Sequence, residues 1–197
     1  DSSVERLLNI VKDLDMINRY ESGQIDLKYS IFDINLLVQE IFDLLEMEGE
    51  KLAMTMQLQT TQPQLFVSAD KQRISQVLIN LISNSIKYAN REEAQIIVST
   101  REGTKSIHIS VEDNGMGIKP ENLPRIFERF FRVESSRSRK EGGSGLGLAI
   151  VKHILEAHQQ SIAVESTYLS GTKFKFKLTK SIPSIKKING ISIGNSI

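Results

Sequence analysis

Residues 107–118 place a short strand pattern directly in front of an acidic residue and two glycines. The apolar residues of this strand alternate with polar ones, at the period of a half-buried strand, and they are Ile107, Ile109 and Val111. Gly115 and Gly117 then allow close backbone approaches that a side chain would forbid. Because a carboxylate only accepts hydrogen bonds, Asp113 at the strand end suits an amino group such as that of adenine. Taken alone, the segment is more typical of an Asp-Asn-Gly turn in a hairpin.

The segment that covers residues 76–90 predicts a helix with one polar face. At about 100° per residue, Asn80, Asn84 and Lys87 fall within roughly 60° of one another. Amide oxygens and an ammonium beside a buried face can hold a hard cation and its phosphates, because magnesium favours oxygen ligands. A solvated helix face is the alternative. Asparagine is a poor interior helix former, however, so two of them four residues apart need a reason.

Residues 142–152 run from a glycine-rich loop straight into an apolar helix. Backbone N–H groups at the start of a helix attract phosphate. A flexible linker is the alternative, but Gly145 and Gly147 lie too close to the helical residues to act only as a spacer. The Gly-x-Gly-x-Gly spacing has no parallel crossover unit around it, which argues against a dinucleotide fold.

In this order the segments resemble the ATP-binding domain of sensor histidine kinases, within the superfamily shared with gyrase, Hsp90 and MutL. The resemblance covers about residues 1–180. Its boxes are the asparagine box Asp70–Tyr88, the first glycine box Asp113–Ile118, the phenylalanine box Ile126–Arg132, the second glycine box Gly143–Ile150 and a last strand pair ending in Ser170–Phe174. It implies a protein-histidine kinase, which transfers the γ-phosphoryl group of ATP to a histidine for relay to a response regulator in two-component signal transduction.

The resemblance also implies a role for each matching residue. Asn84 matches the magnesium ligand, and Asp113 matches the carboxylate that reads adenine. Arg132 matches an arginine that approaches the γ-phosphate, and Asn80 supports the metal or a phosphate, so these two form the implied catalytic set. The other residues implied in nucleotide binding are Lys87, Tyr88, Gly115, Gly117, Ile118, Gly143, Gly145, Leu146, Gly147 and Thr172. ATP and Mg²⁺ are the implied cofactors.

The predicted fold class is α+β, a two-layer α/β sandwich of the Bergerat type, with a mixed, mainly antiparallel sheet, helices on one face and one preceding bundle-forming helix. A heptad seam in that helix comprises Val4, Leu7, Val11 and Leu14. We expect residues 1–23 to be the second helix of a dimerisation and phosphotransfer domain, and residues 24–180 to be the catalytic domain. Residues 181–197 are predicted to form a loosely attached or disordered tail. We also expect a short helix over residues 124–131 and a mobile lid over residues 133–144.

Composition and charge restrict the partners. A net charge of +1 implies no nucleic-acid partner, and the absence of cysteine excludes thiol chemistry. The chain starts at Asp1 and its apolar runs are too short for a membrane span, so we expect the cytoplasmic fragment of a membrane-bound sensor. None of the three histidines, His108, His153 and His158, precedes an acidic residue and a proline as the family's phosphoacceptor does. The implied partners are therefore an upstream acceptor helix, a response regulator receiver domain and, at full length, a second copy.

The sequence departs from the family pattern at two places, and two other functions are alternatives to the kinase. The family often has two glycines where Gln159 and Gln160 stand, and a glycine at Leu169, which affects turn geometry more than nucleotide binding. A nucleotide-binding scaffold without transfer activity is one alternative function. The other is a serine kinase or an ATPase, and a hydrolase needs a base near the γ-phosphate. Glu112 is adjacent to the predicted site but alternates away from Asp113.

Overall fold

The computed structural model describes residues 2–50, 53–89, 93–133 and 143–182. Its helices are α1 Ser2–Glu21, α2 Ile34–Glu50, α3 Lys71–Lys87 and α4 Gly147–Ala157, with one 3-10 turn at Leu123–Arg125. Its strands are β1 Tyr29–Asp33, β2 Thr55–Thr60, β3 Phe66–Asp70, β4 Gln95–Glu102, β5 Ser106–Asp113, β6 Ala163–Thr167 and β7 Gly171–Lys180. The predicted fold class, a helix followed by an α/β layer with a mainly antiparallel sheet, is confirmed.

The strands form one sheet in the order β1-β3-β7-β5-β4-β2, with β6 also paired to β7. Every pairing is antiparallel except that of β2 with β4. The predicted alternation of β5 determines its two faces: Ile107, Ile109 and Val111 are buried, while the residues between them face outward. The register of β5 and β7 places Asp113 opposite Thr172. The acidic strand end therefore meets a hydroxyl from a segment about 60 residues later.

Helix α3 is the central helix of the second layer and contacts both α2 and α4. Its apolar face is buried through Ile74, Val77, Leu78, Leu81, Ile82 and Ile86. Each fully buried aliphatic side chain of this kind stabilises the fold by about 1.5–3 kcal/mol. Asp70 caps the helix start, since its carboxylate accepts the Arg73 N–H at 3.1 Å and the Lys28 N–H at 3.0 Å. The cap therefore also ties the segment before β1 to the start of α3.

Helix α1 packs against α4 through its C-terminal half. Ile17 is fully buried there, and Glu21 at the helix end forms an ion pair with Arg129 and lies 3.5 Å from His153 Nε2. The first three seam residues point away from this contact, since Val4, Leu7 and Val11 are 60%, 61% and 56% exposed. Within the described part of the chain, this seam thus contributes little to the core. Among the described helices, none combines the length and apolar character needed to cross a membrane.

Three local predictions differ from the structure. The predicted helix over residues 124–131 is wrong: the structure has the short turn Leu123–Arg125 followed by further turns, and Phe130 adopts a left-handed backbone with φ +61°. A left-handed residue cannot continue a right-handed helix. The predicted helix start at Gly145 lies two residues too early, because Gly145 has φ +74°. The strand predicted over 24–31 forms as Tyr29–Asp33. Most of the predicted lid, at residues 134–142, and residues 183–197 of the predicted tail lie outside the described residues.

Candidate functional site

A cleft of about 430 Å³ opens where the ends of β5 and β7 meet helix α3 and the loop that follows β5. The predicted site residues that line it are Asn84, Tyr88, Asp113, Gly117, Ile118, Arg132 and Thr172. Residues from α3, from both sides of the first glycine box and from the last strand pair are therefore brought to one cavity. Residues separated by up to 90 positions in the sequence, from Asn84 to Phe174, contribute to its wall.

The Asp113 carboxylate is held by donors on both of its oxygens. One oxygen accepts the Gly115 N–H at 2.9 Å, and the other accepts the Ser85 hydroxyl at 2.9 Å. Burial raises the pKa of Asp113 above its ordinary value, against hydrogen bonds from Gly115, Ser85 and the Thr172 N–H that lower it. The result is an oriented acceptor in a partly desolvated wall, which suits a ligand that donates an N–H group.

The first glycine box needs its glycines because other backbone segments lie against it. A Cβ atom at Gly115 would lie 2.7 Å from the Tyr88 carbonyl oxygen. Gly117 has φ +65°, and a side chain there would collide with the Thr167 backbone. The loop is also fixed by the Met116 N–H, which donates to the Tyr88 carbonyl at 3.1 Å. The end of α3 and the β6–β7 turn thus hold the loop from two sides.

Ser166 joins this loop to the last strand pair, and the sequence analysis missed it. The Ile118 N–H donates to Ser166 Oγ at 2.8 Å, while the Gly171 carbonyl and Thr172 Oγ1 each lie 2.9 Å from the same oxygen. Ser85 was also missed, although it directly follows Asn84. No signal in the sequence alone identifies Ser166, because its contacts depend on the register that places it opposite Thr172.

Only some of the residues predicted at the phosphate end line the cleft. Asn84 and Arg132 line the cavity, together with Leu148 from α4. Asn80 does not line it, and its side-chain amide donates to the Gly147 carbonyl at 3.1 Å. Lys87 Nζ lies 5.4 Å from the centre of the Tyr88 ring and next to Gly143. Lys87 therefore lies at the boundary between α3 and the second glycine box.

The second glycine box forms the base of the predicted lid rather than a wall of the cavity. Gly143, Gly145, Leu146 and Gly147 lie outside the cavity lining. Leu146, which the resemblance implies in nucleotide binding, has its side chain fully buried in the hydrophobic core. Gly145 instead accepts the Phe130 N–H through its carbonyl at 3.0 Å, and a Cβ atom at Gly145 would lie 2.9 Å from the Phe130 backbone. A side chain at position 145 would collide with the Phe130 backbone, so this position requires glycine.

The polar groups that line the cleft fit a nucleotide bound together with a hard cation. Acceptors at the Asp113 end match an amino group, and the Arg132 guanidinium matches phosphate. The Asn84 side-chain oxygen is a ligand type that magnesium accepts, with phosphates and waters completing its coordination. Glu112 does not contribute, because it faces the outer side of the sheet and its carboxylate lies 2.7 Å from Lys173 Nζ. Glu112 is therefore not placed to act as the base near the γ-phosphate that the hydrolase alternative needs.

Comparison with known proteins agrees with this geometry. Residues 69–182 match the family described as histidine kinase-, DNA gyrase B- and HSP90-like ATPase. The chain belongs to this family. The match includes the asparagine box, both glycine boxes and the last strand pair, so the predicted resemblance is confirmed over the whole cleft. Membership of this ATPase family also supports ATP as the nucleotide.

Similar proteins include histidine kinases from several organisms. Hybrid signal transduction histidine kinase L of Dictyostelium discoideum is 34% identical over 93% of this chain and 11% of its own length. Sensor histidine kinase WalK of Bacillus subtilis is 33% identical over 90% of this chain and 29% of its own length. The chain thus spans less than a third of these curated relatives.

Solved structures show the same fold. The histidine kinase AdeS of Acinetobacter baumannii superposes with a TM-score of 0.74 at 28% identity, over 90% of this chain and 80% of that chain. The catalytic domain of histidine kinase ThkA superposes with a TM-score of 0.68 at 31% identity, over 78% of this chain and 97% of that domain.

Proposed function

We propose that this chain is the ATP-binding catalytic part of a sensor histidine kinase. It binds Mg-ATP in the cleft and transfers the γ-phosphoryl group to a histidine on a helix outside this chain, for relay to a response regulator. The observation that carries the proposal is the half-buried Asp113 carboxylate, which lines the cleft and is oriented there by Ser85 and Gly115. The family match and the histidine kinases among the similar proteins support the reaction type.

At the base end of the cleft, the chain recognises adenine. Asp113 and Thr172 lie opposite each other at the ends of β5 and β7, and both line the cavity. The adenine amino group donates to the carboxylate in our proposal, while Ile118 and Phe174 provide apolar surface for the ring. Gly117 allows the backbone to approach the nucleotide because no side chain stands there.

At the phosphate end, the chain positions the group that is transferred. Magnesium bound at Asn84 would neutralise phosphate charge. Arg132 holds the γ-phosphate and stabilises charge on it as it departs. Lys87, beside Gly143, contacts the phosphates once the second glycine box covers them. We assign Asn80 an indirect role, because its bond to the Gly147 carbonyl fixes the start of α4.

The three histidines occupy positions that do not suit a phosphoryl acceptor. His158 is buried and both of its ring nitrogens contact backbone groups. His153 stacks on Tyr20 at the α1–α4 contact, with a centroid separation of 6.5 Å. His108 lies on the outer face of the sheet, opposite Lys177. We therefore place the acceptor histidine on a separate helix that packs on the exposed seam of α1, within a homodimer.

The relay to a response regulator and the cellular location are parts of the same proposal. Histidine kinase ThkA in complex with response regulator protein TrrA superposes on 91% of this chain and 49% of that chain, with a TM-score of 0.71 at 27% identity. WalK is named as a sensor histidine kinase. By analogy, we propose a cytoplasmic catalytic domain linked to a membrane-bound sensor.

Nucleotide binding is tested by calorimetry with Mg-ATP. Asp113→Ala leaves the adenine amino group without its acceptor, so we expect affinity to fall roughly 10- to 100-fold. Glu112→Gln is the matched control, because this neighbouring carboxylate faces away from the cleft. Equal affinity for the parent and Asp113→Ala would refute the assignment of the cleft.

Phosphoryl transfer is tested on a longer protein that includes the upstream helix. Radioactive ATP should label it, and the label should be acid-labile and base-stable, as a phosphoramidate is. Arg132→Ala should slow transfer more than it weakens ATP binding, because its charge matters most as the γ-phosphate departs. An acid-stable label would point to a serine or threonine acceptor and contradict the histidine kinase assignment.

A further inference from the structure

Ser166 Oγ lies at the centre of three hydrogen bonds, and their donors can be assigned. The Ile118 N–H can only donate to it, at 2.8 Å. The Gly171 carbonyl can only accept from it, at 2.9 Å. A serine hydroxyl has one proton and two lone pairs. The 2.9 Å contact with Thr172 Oγ1 has no fixed donor by itself, but with the proton of Ser166 on Gly171, the remaining lone pair of Ser166 accepts the Thr172 hydroxyl proton.

This assignment satisfies all three contacts of Ser166. In the opposite assignment Ser166 donates to Thr172, and the Gly171 carbonyl loses its partner among these groups. The consequence for Thr172 is direct, because its single proton points toward Ser166 and away from the cleft. Thr172 is buried and lines the cavity. With its proton directed at Ser166, its hydroxyl has only lone pairs left for a ligand in the cleft. Thr172 therefore presents an acceptor, as the Asp113 carboxylate opposite it does.

We infer that Ser166 is a specificity-determining residue, which makes the cleft select a 6-aminopurine over a 6-oxopurine by fixing the direction of the Thr172 hydroxyl. Two acceptors at one end of the cleft suit an amino group, which donates. A carbonyl at the same ring position places its lone pairs against those of Asp113 and Thr172. Ser166 itself does not line the cavity, so it acts as a positioning residue through Thr172. The inference rests on the proposed binding of ATP in this cleft.

Inosine triphosphate is the probe, because it has a carbonyl where ATP has its amino group. Calorimetry gives the dissociation constants of Mg-ATP and Mg-ITP, and their ratio measures the selection. Ser166→Ala removes the acceptor of the Thr172 proton, which can then rotate toward the cleft and donate to the ITP carbonyl. We expect the preference for ATP over ITP to fall roughly fivefold. Loss of the Ile118 contact weakens both nucleotides alike and cancels in the ratio.

Two further variants separate specificity from folding. Ser166→Thr keeps the hydroxyl and should keep the parental ratio. Ser166→Cys, whose thiol is a weak hydrogen-bonding group of similar shape, should lower the ratio with less disturbance of the strand than alanine. In a Thr172→Val background the hydroxyl that Ser166 orients is gone, so Ser166→Ala should no longer change the ratio.

The inference and the proposed function fail in different ways. If Asp113→Ala leaves ATP affinity unchanged, the proposed function is wrong. If ATP binding depends on Asp113 but Ser166→Ala leaves the ATP to ITP ratio at its parental value, the role of Ser166 alone is refuted. If Ser166→Ala changes the ATP to ITP ratio equally in the parent and in the Thr172→Val background, the role of Ser166 is refuted as well.

Discussion

The buried hydroxyl of Ser85 on α3 donates a hydrogen bond of 2.9 Å to the Asp113 carboxylate at the end of β5. The same oxygen lies 3.2 Å from the Leu81 carbonyl, one turn earlier in the helix. Since a hydroxyl has one proton, an ionised Asp113 attracts it and the Leu81 contact is weakened. The helix layer thus sets the orientation of the residue that we propose reads the base.

Asp113→Asn should separate stability from binding. Burial raises the pKa of Asp113, so the folded state holds the carboxyl proton more tightly than the unfolded chain does. The stability from that proton is complete below the ordinary value of 3.8 and is lost as the pH rises through the raised value. Asparagine keeps the shape without the buried charge, and its amide can donate to Ser85 while Ser85 donates to Leu81.

We therefore expect Asp113→Asn to be at least as stable as the parent at pH 7, with ATP affinity reduced roughly 10- to 100-fold. The stability difference should shrink toward pH 4, where the parental carboxyl becomes protonated. Urea unfolding at both pH values and calorimetry with Mg-ATP measure the two effects. If Asp113→Asn is clearly less stable than the parent at pH 7, the negative charge of Asp113 does not destabilise the folded state.

Asn84→Ala and Asn80→Ala should act on different steps, although the two residues lie one turn apart on α3. Asn84 lines the cleft, so its removal should abolish the strengthening of ATP binding by magnesium and leave stability near the parental value. Asn80 donates to the Gly147 carbonyl, so its removal should cost about 1 kcal/mol of stability and leave the magnesium effect intact. Titrations of ATP with and without magnesium, together with urea unfolding, distinguish them. Equal magnesium dependence in parent and Asn84→Ala would exclude Asn84 as the ligand.

His158→Ala should destabilise the fold, because this histidine bridges α4 and the start of α3. Its Nδ1–H donates to the Ile154 carbonyl at 2.7 Å, and its Nε2 accepts the Asp70 N–H at 3.1 Å. The variant leaves a buried N–H unpaired, which costs about 1–3 kcal/mol. His108→Ala is the control, since that side chain is exposed on the outer face of the sheet. Denaturant unfolding that shows equal losses for both variants would remove the bridging role of His158.

Leu169→Gly and Gln159→Gly should each stabilise the protein. Both residues hold left-handed backbones, with φ +65° and +57°, at positions where the sequence departs from the glycines common in the family. The strain relieved in each case is about 1 kcal/mol. Ser170→Gly, next to Leu169, is the control and should bring no gain, because Ser170 does not have a positive φ. The midpoint of thermal unfolding reports the change, and a fall in midpoint for Leu169→Gly would mean that side-chain contacts outweigh the strain.

The two turns also show what the departures from the family meant. The sequence raised doubt about their geometry, and the structure shows that Gln159 and Leu169 keep a backbone that suits glycine. The Leu169 N–H donates to the Met116 carbonyl at 2.6 Å, so the β6–β7 turn is held against the first glycine box. Tertiary contact overrides the local preference of these residues.

The sequence by itself determined the elements and their order. The two-residue alternation of β5, the apolar stripe of α3 and the glycines around Asp113 are local signals, because the period of a pattern and the conformational range of glycine act within a few residues. Together with the family resemblance that these motifs carry, they predicted the fold class and implied a nucleotide site that includes Asn84, Asp113, Arg132 and Thr172, all of which line the cleft. They were insufficient for the segment at 124–131, where Phe130 adopts a backbone that its type does not favour.

The tertiary structure decided which side chains meet. Ser85 contacts Asp113 across 28 residues of sequence, Asn80 contacts Gly147 across 67, and the Asp70 N–H contacts His158 across 88. Each of these polar groups needs a partner once it is buried, and the partner is the nearest group that the packing of helices on the sheet supplies. Strand register and helix packing are set by the whole core. A local pattern could therefore identify Asp113 as an acceptor, but not Ser85 as the residue that orients it or Ser166 as the partner of Thr172.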